Sequence, residues 1–163
     1  MLKFKIITFF TAFIIVEAKC QNYTGEREKI YKTIIEQVNN TKPKRSISKS
    51  TDIKFITDFG FKYGGKTLSD DNSLPSNSTE WINFVKSIDT SRLSNYKVNV
   101  KGKRKSFIQL TFSPIMFSND GSMALCLGKH VYTNGTGGEQ AWYLKKFDGK
   151  WKIIETYVYA IFD

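Results

Sequence analysis

Few residues in this chain have the types and spacing that chemistry needs. There is one histidine, His130, and there are two cysteines, Cys20 and Cys126. Cys126 and His130 share one apolar run. If that run is a strand they lie on the same face, but four residues along a strand is about 13 Å. A thiolate and its base must be within hydrogen-bond reach, so the two cannot act as a pair. No G-x-S-x-G elbow offers another nucleophile. Cys126, set among apolar neighbours, reads as a buried thiol. A Cys20–Cys126 disulfide is open to the chain if it is exported.

The remaining catalytic candidates come from a register. Turn residues divide Ser106–Asp163 into four β-rich runs, with breaks at Asn119-Asp120-Gly121, at Thr133–Gly138 and at Asp148-Gly149. Pairing the runs across those breaks predicts one row of Leu110, His130, Ala141 and Thr156. It predicts a second row, on the other face, of Thr111, Lys129, Trp142 and Glu155. Lys129 and Glu155 facing each other in a half-polar cavity would be the acid–base pair of a small hydrolase or isomerase. The ordinary reading of such a pair is a cross-strand ion pair. His130, Lys129 and Glu155 are therefore the residues that a catalytic function has to use.

Metal and cofactor chemistry find little support. One histidine and two distant cysteines make no zinc spacing. Asp70-Asp71-Asn72 lacks the glycine and closing glutamate of a calcium loop and reads as solvated loop. There is no P-loop and no G-x-G-x-x-G. No cofactor is expected.

Charge is the stronger signal. The chain carries a formal +10 at pH 7. Lys101-Gly-Lys-Arg-Lys105 is its densest basic run, so Lys101, Lys103, Arg104 and Lys105, with Trp142 nearby, form the expected binding surface. The expected partner is an acidic protein or an anionic polymer or surface. In a cytosolic protein nucleic acid would come first. Here it is not expected, because the N-terminus reads as an export signal. Lys3 and Lys5 precede an apolar stretch, Ile6–Val16, too short to span a bilayer, and Val16-Glu17-Ala18 fits a peptidase site. Residues 1–18 are thus expected to be a signal peptide and 19–163 a single domain, periplasmic or secreted, with no transmembrane segment. Losing residues 1–18 removes Lys3, Lys5 and Glu17 and leaves +9. Cys20 sits where a lipoprotein would be acylated, but Lys19 and Glu17 occupy positions that lipidation reserves for small and aliphatic residues. A soluble mature chain starting at Lys19 is the expectation.

The elements behind these residues follow from periodicity. Ile30, Tyr31, Ile34, Ile35 and Val38 make an apolar stripe over a helix from Glu26 to Asn40. Residues 42–50 read as a polar linker and 52–63 as a strand or strand pair. Trp81, Phe84, Val85 and Ile88 mark a second helix, with Glu80 in its first turn. Tyr96–Val100 alternates as a short strand. Helices first and strands after, without βαβ alternation, predict an α+β fold: two helices packed on a mostly antiparallel curved sheet that ends in a four-stranded meander.

Three stretches carry a resemblance: Ser113-Pro-Ile-Met-Phe-Ser-Asn-Asp-Gly-Ser-Met-Ala124, the Gly135–Gly138 loop, and Leu144-Lys-Lys-Phe-Asp-Gly-Lys-Trp-Lys-Ile153. They resemble small uncharacterised exported proteins of Bacteroidota, which share a strand pair broken by Asp-Gly, a Gly-rich loop and a K-x-x-G-K-W-x-I hairpin. Trp81 and Phe84 resemble that family's preceding helix. The similarity runs from Trp81 to the C-terminus and departs at Tyr157-Val-Tyr-Ala160, where the family pattern has a tryptophan. The Asp-Gly-Lys-Trp-Lys-Ile ending is also similar to NTF2-like domains, in which helices precede a curved meander. Both similarities imply a fold and carry no catalytic residues. The function expected is a non-enzymatic exported binding domain, with the hydrolase or isomerase as the alternative.

Overall fold

The structure, a computed structural model, describes residues 25–40, 45–56, 79–88, 93–99 and 106–162. The expected signal peptide (1–18), Cys20, the 70–72 acidic loop and the 101–105 basic run lie outside the described residues.

The fold is mixed α+β, built on a mostly antiparallel sheet. Helix α1 covers residues 25–40. Six strands follow among the described residues: β1 Ser46–Ile47, β2 Ile108–Phe112, β3 Met116–Phe117, β4 Met123–Tyr132, β5 Gly137–Phe147 and β6 Lys150–Phe162, with helix α2 at Thr79–Lys86 before β2. The sheet order is β1-β2-β4-β5-β6, β3 pairs with β4, and only β1–β2 is parallel. Two segments differ from the sequence reading. The supposed linker supplies β1, because Ser46 and Ile47 pair with Gln109 and Leu110. Residues 54–56, expected in a strand, are helical.

β2 and β3 share one edge of β4, and the break between them has a local cause. Pro114 has no N–H for a ladder. Ser113 bridges the gap: its N–H donates to the Leu127 carbonyl at 2.8 Å, and its Oγ accepts from the Leu127 N–H at 2.9 Å.

The two faces of the sheet bury separate cores, because side chains alternate along each strand. On one face Leu110, Phe112, Ala124, Cys126, Trp142, Leu144 and Trp151 pack against the α1 stripe, Ile30 to Val38. On the other, Met123, Leu125, Leu127, Ala141 and Tyr143 pack against Trp81 and Phe84 of α2 and against Phe55. Strands that look apolar on both sides are thus covered on both sides.

The β5–β6 hairpin forms where Asp148-Gly149 placed it, with φ of 49° and 75° at the two turn residues and Phe147 opposite Lys150. The β4–β5 connection is shorter than expected. Its turn closes between Tyr132 and Gly135, and β5 starts at Gly137. Gly137 and Gly138 therefore serve the strand. A Cβ on Gly137 would lie 2.1 Å from the His130 carbonyl oxygen, and one on Gly138 would lie 3.0 Å from the His130 ring. The register moves by three residues, an odd number, so β5 also turns its faces over relative to β4.

Candidate anion-binding edge

That register dissolves the expected catalytic row. Lys129 faces Glu139, His130 faces Gly138, and Trp142 stands between Cys126 and Thr156. An irregularity between Tyr143 and Leu144 shifts β6 once more and sets Glu155 opposite Tyr143, where it is exposed. Lys129 and Glu155 are not brought together. Lys129 instead lies 3.6 Å from the buried Glu139 carboxylate, with the Phe162 ring 4.5 Å from its ammonium. Trp142, expected on a binding surface, is fully buried: Gly128 leaves room for its ring, since a Cβ there would meet it at 2.6 Å. His130 is half-buried, and its pKa is lowered by burial and then by the Arg45 charge. Among the described residues no three His, Cys, Asp or Glu groups lie close enough to hold a metal ion.

What the fold does assemble is a basic edge beside β1. Residues 45–52 run along β2. The Ser46 hydroxyl donates to the Ile108 carbonyl at 3.0 Å, the Ser48 N–H to Leu110 at 2.9 Å, and the Asp52 N–H to Phe112 at 2.8 Å. The outer side of this segment is taken by residues 93–99. The Val98 N–H donates to the Lys49 carbonyl at 2.8 Å, the Thr51 N–H to Tyr96 at 3.0 Å, and Ser50 bridges to Lys97. Ser50 stands opposite Lys97 and Lys49 opposite Val98, so Lys49 and Lys97, 48 positions apart in the chain, sit one step apart along this pairing with their side chains on opposite faces. Lys54 follows one turn on; Lys49, Lys54 and Lys97 are exposed, and Arg45 at the head of β1 is half-buried. The one described carboxylate in this stretch, Asp52, accepts the Lys54 backbone N–H at 3.0 Å.

A buried polar relay holds the edge to the core. The Tyr31 hydroxyl donates to the Ser113 carbonyl at 2.8 Å, which uses its one proton. Tyr96 must then donate the hydrogen bond that joins the two hydroxyls, while its oxygen accepts the Ile115 N–H at 2.8 Å. Burial raises both phenols: Tyr96 reaches about 12 and Tyr31 goes well above its usual range. The Arg27 guanidinium sits 4.7 Å from the centre of the Tyr96 ring. The relay is saturated and neutral, so its effect is to fix the backbone that carries Lys97 and Lys49.

Of the other described carboxylates, Glu28 accepts from the Asn99 side-chain amide at 3.4 Å beside this edge and Glu155 is exposed, while several are engaged internally. Glu26 takes Lys29 and Lys146, Glu80 takes Lys145, Glu139 takes Lys129, and Asp120 is held at about 2 by the Ser118 and Ser122 hydroxyls and the Ser122 N–H. The chemistry of the edge is the presentation of cations from fixed backbone. Sequence reading found the neighbouring run, Lys101, Lys103, Arg104 and Lys105, which follows Asn99 after one residue. It missed Lys49 with Lys97, because the partner of the 96–100 strand lay in a stretch read as linker. Comparison with family models, with curated proteins and with solved structures finds no match.

Proposed function

We propose that this chain is an exported, non-enzymatic binding domain that holds an acidic protein or an anionic polymer or surface along its β1 edge. The observation that carries the reading is the placement of the exposed Lys49, Lys54 and Lys97 along one edge, with Arg45 at its head donating to the Val38 carbonyl at 2.7 Å; from this edge the chain continues into the basic run at 101–105. With the backbone held in place, only the lysine side chains lose conformational freedom when an anion docks. The mature chain's surplus of nine positive charges draws such a partner in from a distance. Export rests on the order of basic, apolar and small residues in 1–18, with a mature chain starting at Lys19. The two-helix, curved-meander form and the likeness to exported Bacteroidota proteins and NTF2-like domains belong to the same reading. The solvent position of Glu155, far from Lys129 in register, speaks against the hydrolase or isomerase alternative.

The test is retention on a heparin-type resin. The wild-type chain should remain bound at physiological salt, where the screening length is about 8 Å. A Lys49→Gln, Lys97→Gln variant should elute at clearly lower salt. Release of the wild type at low salt, or unchanged elution of the variant, overturns the reading.

A further inference from the structure

β6 ends the sheet among the described residues, and its outer backbone edge faces no described strand. It runs 13 residues, Lys150–Phe162, longer than most strands. Much of it beyond Trp151 is open to water: Ile154 is 44% exposed and Val158 49%, and Lys152, Glu155 and Thr156 are exposed as well. A long edge with branched apolar side chains is a template for another strand, and charges and bulges are what guard such an edge. Here the charges and one bulge are arranged so that they match a copy of themselves.

The bulge sets the match. Tyr143 stands opposite Glu155 and Leu144 opposite Ile153, so Ile154 is the extra residue. Lys145 stands opposite Lys152. Tyr143 and Lys145 are two apart on β5 and share a face, so Lys152 and Glu155 share it too, although they are three apart on β6. In a regular strand they would point to opposite faces. Lys152 has no carboxylate among the described residues: it faces Lys145, whose own ammonium is taken by Glu80 at 2.9 Å, and it lies 5.5 Å from the centre of the Phe147 ring. Glu155 makes no ion pair among the described residues either.

We propose that β6 pairs antiparallel with β6 of a second copy, about a two-fold axis at Ile153-Ile154, so that Lys152 of each copy meets Glu155 of the other. A two-fold contact makes every such pair twice. The same register sets Trp151 opposite Thr156 and Lys150 opposite Tyr157, and each of these pairs joins side chains of one face. A slip of one residue would set side chains of opposite faces together. The exposed Ile154 side chains of the two copies come together at the axis. The half of β6 that Trp151 ties to α1 through Glu26 then lies beside the uncovered half of the other copy. A polyanion would be repelled by Glu155, whereas a second copy supplies both charges by symmetry. β1 and β6 stand at opposite ends of the sheet order, so the contact leaves the basic edge of each copy free.

The experiment is sedimentation velocity over a concentration series, with protein purified from an exporting host. Reducing conditions keep any disulfide through Cys20 out of the result. A dimer that dissociates on dilution through the micromolar range is expected. Lys152→Glu and Glu155→Lys each set like charges opposite one another twice, and each should raise the dissociation constant about tenfold or more. The chain carrying both changes keeps the wild-type net charge and restores the pairing, so its dissociation constant should return close to that of the wild type. Both side chains are exposed, so the variants should keep the fold. If a single reversal nevertheless melts early, hydrogen exchange on the wild type decides: the amides of residues 152–157 should exchange more slowly as concentration rises, and those of β1 should not. A wild type that is monomeric at about 0.1 mM overturns the proposal. So does a dimer that the single reversals leave intact, a dimer that the double change fails to restore, or exchange in β6 that ignores concentration.

Discussion

The Trp151 indole N–H donates to the Glu26 carboxylate at 2.6 Å, joining residues 125 positions apart. The same carboxylate receives Lys146 at 2.8 Å and, on its other oxygen, Lys29 at 2.8 Å. One acidic side chain in the first turn of α1 thus ties the helix to the β5–β6 hairpin.

Burial alone would raise the Glu26 pKa. The hydrogen bonds from Lys146, Lys29 and Trp151 outweigh it and hold the group at about 2, against an ordinary 4.5. A depressed carboxylate contributes stability that is complete above its unfolded pKa and is lost as pH falls through its folded one. Thermal stability should therefore decline between about pH 4.5 and pH 2. Glu26→Ala should lower stability by about 1–3 kcal/mol at neutral pH, because it strands the buried indole N–H, and should flatten the acid decline. Urea melts at pH 7 and pH 3 measure both effects.

Two glycines inside strands are steric requirements. Gly128→Ala places a Cβ 2.6 Å from the Trp142 ring, and the ring is locked in the core. It should cost about 1–3 kcal/mol. Gly137→Ala meets backbone at 2.1 Å as well as the Phe162 ring, so β4 and β5 must part at that end, and the cost should be larger. Gly25→Ala, with nothing within 4 Å, is the neutral control. Denaturant midpoints should rank Gly25→Ala highest, Gly128→Ala lower and Gly137→Ala lowest.

His130 should make the fold sensitive to mild acid. Its pKa is lowered from the ordinary 6.5 by burial and by Arg45, with Tyr132 as its ring neighbour at 5.8 Å. A base with a depressed folded pKa binds fewer protons folded than unfolded, so its contribution is present above pH 6.5 and is lost as pH falls below it. Melting temperature should drop between pH 7 and pH 5, and His130→Gln should reduce that drop. An unchanged slope in the variant would assign the drop to other groups.

Cys126 should be unreactive while the chain is folded. Burial drives its thiol far above the usual range, only partly offset by a hydrogen bond with Ser113. The thiolate is the reactive form. Labelling by an aromatic disulfide reagent should proceed only at the rate of unfolding, and urea should accelerate it sharply.

The elements whose cause is local were legible in the sequence. The α1 stripe, the α2 stripe from Trp81 to Ile88 and the Asp148-Gly149 turn all appear where periodicity and turn chemistry put them, as does the pairing of Leu110 with His130 and Thr111 with Lys129. The choice of α+β over an alternating fold was also legible, because helix patterns precede strand patterns. Tertiary structure decided the relations between elements. Gly137 and Gly138 look like loop residues in isolation and become strand residues only when His130 comes close enough to need the space. That contact moved the register by three, placed Glu139 rather than Trp142 beside Lys129 and buried the tryptophan. Ser46 and Ile47 carry too short a signal to name a strand; the open edge of β2 recruits them. The basic edge exists for the same reason: Lys49 and Lys97 meet through backbone hydrogen bonds between distant segments, and no local pattern encodes which segments will meet.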